Sequence, residues 1–198
     1  TTMKKLTSTL FIIFLIFSAK ALAADNEMVK RISEGEESAK ITIIAYESLT
    51  CGHCANFHKD VLPELKKDFI DKGLVKIEFR HFPLDLAAFN ASKIAQCNND
   101  GNSNILHILY SGQKKWARGK TPEEATGYLK KFLESESVNL DFEKCLSDKA
   151  IEDFVLNDRI DGVKKFEVNA TPTIIINDKK FDKALNYKNL KKYLEKLI

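Results

Sequence analysis

Apolar residues along this chain recur with two different periods, which predict an alternation of strands and helices. The apolar, β-branched run at positions 41–46 is typical of a buried central strand, and the alternating positions 74–80 predict a second strand. Between them, apolar residues at every fourth position predict a helix over 55–69, with a kink at Pro63.

The pattern then becomes almost wholly helical from position 84 to position 168. Positions 174–176 predict a third strand, positions 177–180 suit a tight turn, and Phe181 is expected to start a short fourth strand. The chain closes with an amphipathic helix. The predicted order is therefore β-α-β, a helical block, and β-β-α.

Three residues in the helical block predict helix ends. Gly119 is expected to end the helix that begins near Ile105, because glycine commonly follows the last turn of a helix. Thr121 is expected to cap the next helix, and Asn139 to cap a short helix that carries Cys145.

The first 23 residues have the pattern of a cleavable signal peptide. Lysines precede a short apolar stretch, and the run Ala21-Leu22-Ala23 fits an A-x-A cleavage site. Removing these 23 of 198 residues leaves 175, which fits one domain or one domain with an insertion. We expect an exported protein of the bacterial periplasm, in which residues 25–40 form a polar lead-in. An uncleaved membrane anchor is the alternative, although the apolar stretch is shorter than the roughly 20 residues that span a bilayer.

The basic charge of the chain comes from this leader. Three of the 31 basic residues lie in it, which leaves 28 basic residues against 28 acidic ones and a net charge of zero. A nucleic-acid-binding surface needs a basic excess. We therefore expect no nucleic-acid partner.

Cys51 and Cys54 form a C-x-x-C motif between the first predicted strand and helix. This spacing lets two sulfurs meet across one helical turn, and a helix start favours the thiolate of the first cysteine. A thiol–disulfide redox pair is the favoured interpretation. The alternatives are a structural disulfide or a zinc site with His58 as a third ligand, although the other cysteines are too isolated to complete one.

The remaining cysteines, Cys97 and Cys145, both lie in the helical block. In an exported chain they predict a second, structural disulfide, and two buried free thiols are the alternative. His81 and His107 are expected to be structural, His58 to lie on the helix surface or behind the active site, and Trp116 to pack the helical block.

Three segments of the chain together resemble the DsbA family of oxidoreductases. They are positions 46–54, around the C-x-x-C motif; positions 79–85; and Ala170-Thr171-Pro172-Thr173. The resemblance implies an α/β thioredoxin fold, with the central sheet formed by residues 24–83 and 169–198. It also implies an inserted all-helical domain, residues 84–168.

The resemblance further implies a role for each matching residue. Cys51 would be the exposed nucleophile, Cys54 the resolving thiol, and His53 a group that stabilises the Cys51 thiolate. Thr171 and Pro172 would form a cis-proline loop that binds extended substrate segments, although a trans proline opening a strand is the alternative. The redox disulfide itself would replace any cofactor or metal.

Two departures from the family pattern bear on the chemistry. The dipeptide between the cysteines is Gly52-His53, where many DsbA enzymes have Pro-His and many protein disulfide isomerases have Gly-His. Ala45 occupies the position, six residues before the first cysteine, at which many thioredoxin-fold enzymes bury an acid. Water or Glu47 would then serve proton transfer at Cys54.

The leading expectation is a monomeric oxidase that introduces disulfides into reduced or unfolded exported proteins. A membrane-bound partner of the DsbB type would reoxidise it. A disulfide isomerase or reductase is the alternative within this class, although only about 17 residues precede the first strand after the cleavage site, too few for an isomerase's dimerisation domain. A redox-inert peptide-binding chaperone and a metal-binding protein are alternatives from other classes.

Overall fold

The computed structural model describes residues 28–198, so the predicted signal peptide, residues 1–23, lies outside the described residues. The sheet has five strands: β1 (Ser33–Glu34), β2 (Ile41–Glu47), β3 (Val75–His81), β4 (Thr173–Ile176) and β5 (Lys179–Lys180). Their order is β1-β3-β2-β4-β5, with β2 and β3 parallel and every other neighbouring pair antiparallel.

The helix after β2 is built from four consecutive segments around Pro63. These are α1 (Gly52–Asn56), a π-helical turn (Phe57–Val61), α2 (Leu62–Leu65) and a second π-helical turn (Lys66–Ile70). Proline cannot donate the regular helical hydrogen bond, so the wider turns adjust the backbone where the sequence predicts a kink.

The other helices come after β3 in the chain. All but the last lie between β3 and β4, and the last one follows β5. They are α3 (Leu86–Gln96), α4 (Asn104–Ser111), α5 (Gln113–Trp116), α6 (Pro122–Ser135), α7 (Phe142–Ser147), α8 (Lys149–Phe166) and α9 (Tyr187–Leu194). Of the helices in residues 28–198, none is both long and apolar enough to cross a membrane.

Strand β2 is buried on both faces, which explains its continuous apolar sequence. Ile41, Ile43 and Ala45 point into the larger core, whereas Ile44 and Tyr46 belong to a smaller core on the other face. Gly162 of α8 lies against the Tyr46 ring, where an added Cβ would come within 2.7 Å of Tyr46 Cε1. This close approach lets α8 cover the smaller core.

The helices between β3 and β4 share the larger core with the sheet. Leu109 and Leu129 belong to the same cluster of buried residues as Ile43 and Phe57. Trp116 is also fully buried in it, and its indole Nε1 donates a hydrogen bond to the Leu109 carbonyl at 2.8 Å. The helical block therefore packs directly against the elements that carry the C-x-x-C motif.

Cys97 and Cys145 are joined by a disulfide, with their Cα atoms 5.4 Å apart. Cys97 ends α3 and Cys145 lies in α7, so the bond links two helices that are 48 residues apart in sequence. A covalent link over this separation restricts the unfolded chain.

The structure differs from the sequence-based expectations at both edges of the sheet. The lead-in contains β1, a short strand that pairs Ser33 with Glu78. The last strand is Lys179–Lys180, before Phe181, because Asn177 and Asp178 alone form the turn. Both residues have positive φ angles, which suits a two-residue hairpin.

Two of the three predicted helix ends were wrong. Thr121 caps α6 as predicted, its side chain accepting from the Glu124 N–H. Asp141, not Asn139, caps α7, because its carboxylate reaches the Lys144 N–H. The helical stretch before Gly119 ends at Trp116, and Gly119 lies in the following loop with φ of 116°.

A pair of glycine variants tests the packing inside the helical block. An added Cβ at Gly112 would lie 1.9 Å from Phe132 Cζ, whereas one at Gly127 would meet nothing within 4 Å. We expect Gly112→Ala to lower the free energy of unfolding by about 1–3 kcal/mol through overpacking. Gly127→Ala, inside α6, should instead raise it by about 0.5–1 kcal/mol. Urea denaturation measures both, and equal effects would contradict the described packing.

Candidate active site

Cys51 lies at the junction between β2 and α1, where it is the N-cap residue of the helix. The first N–H groups of a helix have no partner inside the helix and carry partial positive charge. The backbone N–H groups of His53 and Cys54 act on the Cys51 sulfur in this way. The local structure therefore favours a negative charge on Cys51.

The two free cysteines of the motif differ sharply in environment. Cys51 is half-buried, whereas Cys54 is fully buried in the larger core. A hydrogen bond from the Cys54 thiol is the main cause that lowers the pKa of Cys51 to about 5, against the opposing effect of burial. Burial, the hydrogen bond to Cys51 and the charge of Glu47 raise the pKa of Cys54 far above its ordinary value.

The loop before β4 lies directly beside Cys51. The Thr171–Pro172 peptide bond is cis, and the Thr171 carbonyl accepts a hydrogen bond from Cys51 Sγ at 3.3 Å. Antiparallel pairing of β4 with β2 places Thr173 opposite Tyr46, so the loop meets the end of β2 that leads to Cys51. The structure thus brings together Cys51, Cys54, Thr171 and Pro172.

His53 follows the nucleophile position but has an exposed side chain. Its backbone N–H, as described above, helps to lower the pKa of Cys51. Its imidazole lines a cleft of about 1150 Å³ between the α1–α2 segment and the α4–α5 region. The role predicted for the His53 side chain stays a prediction.

Gln113 is a site residue that the sequence does not indicate. Its side-chain amide donates to the carbonyl oxygens of Leu49 at 2.8 Å and Cys51 at 3.0 Å. A second anchor is Asp85, which accepts from Thr50 Oγ1 at 2.7 Å and also caps α3. These contacts hold the loop that presents Cys51, and both come from the helical block.

The remaining histidines lie behind the motif. His58 is buried beside Glu47, so it lies behind the active site rather than on the helix surface. His81 Nε2 is 3.2 Å from Gln96 Oε1 in the core, in keeping with a structural role. His107 contacts His58 and Glu34 across the cleft wall. Within residues 28–198, no group of three acidic, histidine or cysteine side chains is arranged to hold a metal ion.

The sheet order, the cysteine at the helix start and the cis-proline loop beside it define a thioredoxin-like dithiol site. A family model described as Thioredoxin matches residues 27–196. The chain belongs to the thioredoxin family. The predicted fold class is confirmed.

Solved structures confirm the resemblance to DsbA proteins. Alpha-DsbA1 from Wolbachia pipientis is similar with a TM-score of 0.75 and 28% sequence identity, over 84% of this chain and 90% of that one. BdbD from Bacillus subtilis gives a TM-score of 0.66 at 25% identity, over 84% and 91%. A protein-disulfide isomerase from Novosphingobium aromaticivorans shares the fold, with a TM-score of 0.76 at 17% identity over 86% and 98%.

Curated relatives carry related names. A Rickettsia bellii protein, provisionally named a protein-disulfide oxidoreductase, is 30% identical over 158 residues, which are 77% of this chain and 58% of the relative. Disulfide bond formation protein D of Bacillus subtilis is 29% identical over 172 residues, or 82% of this chain and 74% of that protein. The chain thus spans little more than half the length of the Rickettsia bellii relative.

Ultraviolet titration of the reduced protein tests the thiol arrangement. We expect a thiolate to form at Cys51 with a pKa of about 5. Cys54→Ala should raise this pKa toward the ordinary cysteine value, because it removes the hydrogen bond that lowers the pKa most. Cys51→Ser should remove the transition entirely. An unchanged pKa in Cys54→Ala would show that the thiol of Cys54 does not stabilise the thiolate.

The same shift predicts a pH-dependent stability of the reduced protein. The pKa of Cys51 is lower in the folded state than its unfolded value of about 8.5, so ionisation favours folding. This stabilisation is complete above about pH 8.5 and is lost as the pH falls through about 5. The free energy of unfolding of the reduced wild type, minus that of reduced Cys51→Ser, should therefore rise across this range. Urea unfolding at several pH values measures it, and a flat difference contradicts the prediction.

Proposed function

We propose that the protein is a thiol–disulfide oxidoreductase that introduces disulfides into exported proteins. The observation that carries the proposal is the contrast between an accessible Cys51 with a lowered pKa and a buried Cys54 with a raised pKa. A stabilised thiolate is a good leaving group and favours the reduced form of the enzyme, so the oxidised pair accepts electrons.

The reaction begins with the Cys51–Cys54 disulfide of the oxidised enzyme. A substrate thiolate attacks Cys51 Sγ, because Cys54 is out of reach in the core. The bond between Cys51 and Cys54 breaks, a substrate–Cys51 bond forms, and Cys54 leaves with the electron pair and takes up a proton. A second thiolate of the same substrate then attacks the substrate sulfur that is bonded to Cys51. This releases the oxidised substrate and the Cys51 thiolate.

The loop formed by Thr171 and Pro172 is the proposed substrate-binding element. Its half-buried backbone lies beside Cys51, where an extended segment with a cysteine can pair with it. Backbone pairing binds many sequences with little side-chain selectivity. This suits a protein that acts on many reduced or unfolded substrates.

The setting of the activity is part of the same proposal. We propose that the protein is exported by its N-terminal signal peptide, acts in the periplasm as a monomer, and is reoxidised by a DsbB-type membrane partner. The predicted helical domain, residues 84–168, contributes Gln113 and Asp85 to the active-site loop.

Oxidation of a reduced dithiol peptide tests this function. The oxidised wild type should form the peptide disulfide, and Cys51→Ser should be inactive. Reduced Cys54→Ser, mixed with a peptide whose single cysteine is disulfide-bonded to glutathione, should accumulate a Cys51–peptide mixed disulfide and release glutathione, because no second enzyme thiol resolves it. Refolding of a scrambled protein, measured in parallel, separates an oxidase from an isomerase. Strong refolding with weak peptide oxidation would favour an isomerase. Undiminished protection of an aggregating client by Cys51→Ser, with no peptide oxidation by the wild type, would favour a chaperone.

A further inference from the structure

Four side chains form a hydrogen-bonded chain that starts behind the active site. Glu47 Oε2 lies 2.8 Å from His58 Nε2, and His58 Nδ1 lies 3.2 Å from His107 Nδ1. His107 Nε2 in turn contacts Glu34 Oε1. We call Glu47, His58, His107 and Glu34 the histidine chain.

The histidine chain runs from the protein interior to solvent. The side chains of Glu47 and His58 are 3% and 5% exposed, whereas that of His107 is 36% exposed. His107 and Glu34 line the cleft beside the active site. At the inner end, Cys54 and His58 are both buried and lie four residues apart along the helix that follows β2, so their side chains are on the same side of it. The charge of Glu47, the partner of His58, contributes to the raised pKa of Cys54. The chain thus connects the surroundings of the buried thiol with the cleft.

The inner part of the histidine chain is held rigidly. The His58 ring stacks on Tyr110 with centroids 4.0 Å apart, and Phe79 packs at 5.3 Å. These contacts direct one ring nitrogen to Glu47 and the other to His107, which is the orientation that a proton transfer through imidazole requires.

Glu47 Oε1 and the Tyr110 hydroxyl are buried polar atoms that make no regular hydrogen bond within residues 28–198. A buried carboxylate oxygen without a hydrogen-bond partner is unfavourable in a protein core. The oxygen of Glu47 that His58 does not engage is therefore available for a further hydrogen bond. Burial raises the pKa of Tyr110, together with the charges of Glu47 and both active-site sulfurs and a hydrogen-bonding contribution from Glu47, so the tyrosine stays neutral.

Resting on the proposed function, we propose that the histidine chain is a proton relay between Cys54 and the cleft. The inner carboxyl group exchanges the proton with the thiol of Cys54, and the two imidazoles pass it to or from the water of the cleft. The relay residues are positioning and transfer groups for the second sulfur, whereas Cys51 remains the nucleophile.

The hydrogen bonds of the histidine chain allow two arrangements with the same number of protons. In the first, Glu47 donates a proton from Oε2 to His58 Nε2, His58 donates from Nδ1 to His107, and His107 donates from Nε2 to ionised Glu34. In the second, Glu47 is ionised, His58 donates to it from Nε2, and His107 carries a proton on both nitrogens beside Glu34. Every contact keeps one donor and one acceptor in both arrangements.

The charges around the outer end favour an ionised Glu34. Burial acts to raise its pKa, but hydrogen bonds from His107 and Ser103 and the charge of Lys66 lower it below the ordinary value. Lys66 Nζ lies 3.7 Å from Glu34 Oε2. An ionised Glu34 attracts the proton outward to His107, so the relay can be loaded from solvent.

The relay completes the first step of the proposed reaction. When substrate attacks Cys51, the sulfur of Cys54 leaves with the electron pair of the broken disulfide. It then receives the proton of Glu47, and the histidine chain returns one proton from the cleft to Glu47. In the reverse direction, when the dithiol is reoxidised, Cys54 loses its proton along the same path.

Chemical rescue of His107→Ala tests the relay at the residue farthest from the thiols. Oxidised enzyme is mixed with a reduced dithiol peptide, and the single-turnover rate is measured with and without imidazole. We expect His107→Ala to slow the reaction and imidazole to restore it through the cleft, whereas thiophene, a similar ring without a basic nitrogen, restores nothing. Glu47→Gln should slow the reaction about a hundredfold, the scale of general acid–base catalysis, without rescue.

Three controls separate a relay from a packing role. Glu37→Gln removes an exposed acid three residues after Glu34 in the sequence. Glu37 pairs with Lys76 and is not part of the histidine chain, so this variant should leave the single-turnover rate unchanged. The pKa of Cys51 in His107→Ala should match that of the wild type. His107→Gln, whose side chain refills the space of the imidazole ring, should have a low single-turnover rate that added imidazole does not restore. Equal effects of imidazole and thiophene, or a wild-type rate in His107→Ala, would overturn the relay. A wild type that does not oxidise the peptide would instead refute the proposed function.

Discussion

The hydrogen bond between the two active-site sulfurs is the interaction on which the chemistry of this protein depends. It places the proton on Cys54 and the negative charge on Cys51, and so shifts their two pKa values in opposite directions. Forming the disulfide removes this stabilised thiolate–thiol pair. This pair favours the reduced state, which is the physical basis of the oxidase direction that we propose.

The fold produces this arrangement because three separate parts of the chain meet at the end of β2. The helix that starts after β2 provides N–H groups to Cys51 and directs Cys54 into the core. The loop before β4 brings Thr171 to the same sulfur, and Gln113 holds the backbone of Leu49 and Cys51. The helical block shares its core with the sheet and contacts this loop directly.

The sequence predicted those features that depend on local patterns. The strand at 41–46, the helix-capping cysteine and Thr121 follow from short-range periodicity and capping, and the Pro63 distortion follows from the missing N–H. Strand β1 has two polar residues, which leave no periodicity to detect. The contacts of His58 with His107 and of His107 with Glu34 join residues 49 and 73 positions apart, so one sequence could not pair them.

Burial of Glu47 requires a physical justification, since a carboxyl group in a protein core is unfavourable unless it is paired. His58 satisfies one oxygen and leaves the other without a regular partner. A group retained only for stability would be better replaced by an apolar residue, such as the alanine at position 45 on the same strand. Glu47 lies near a thiol that must gain and lose a proton, and its incomplete pairing is understandable if this acid carries that proton. A fully paired carboxylate would have no oxygen free to exchange the proton.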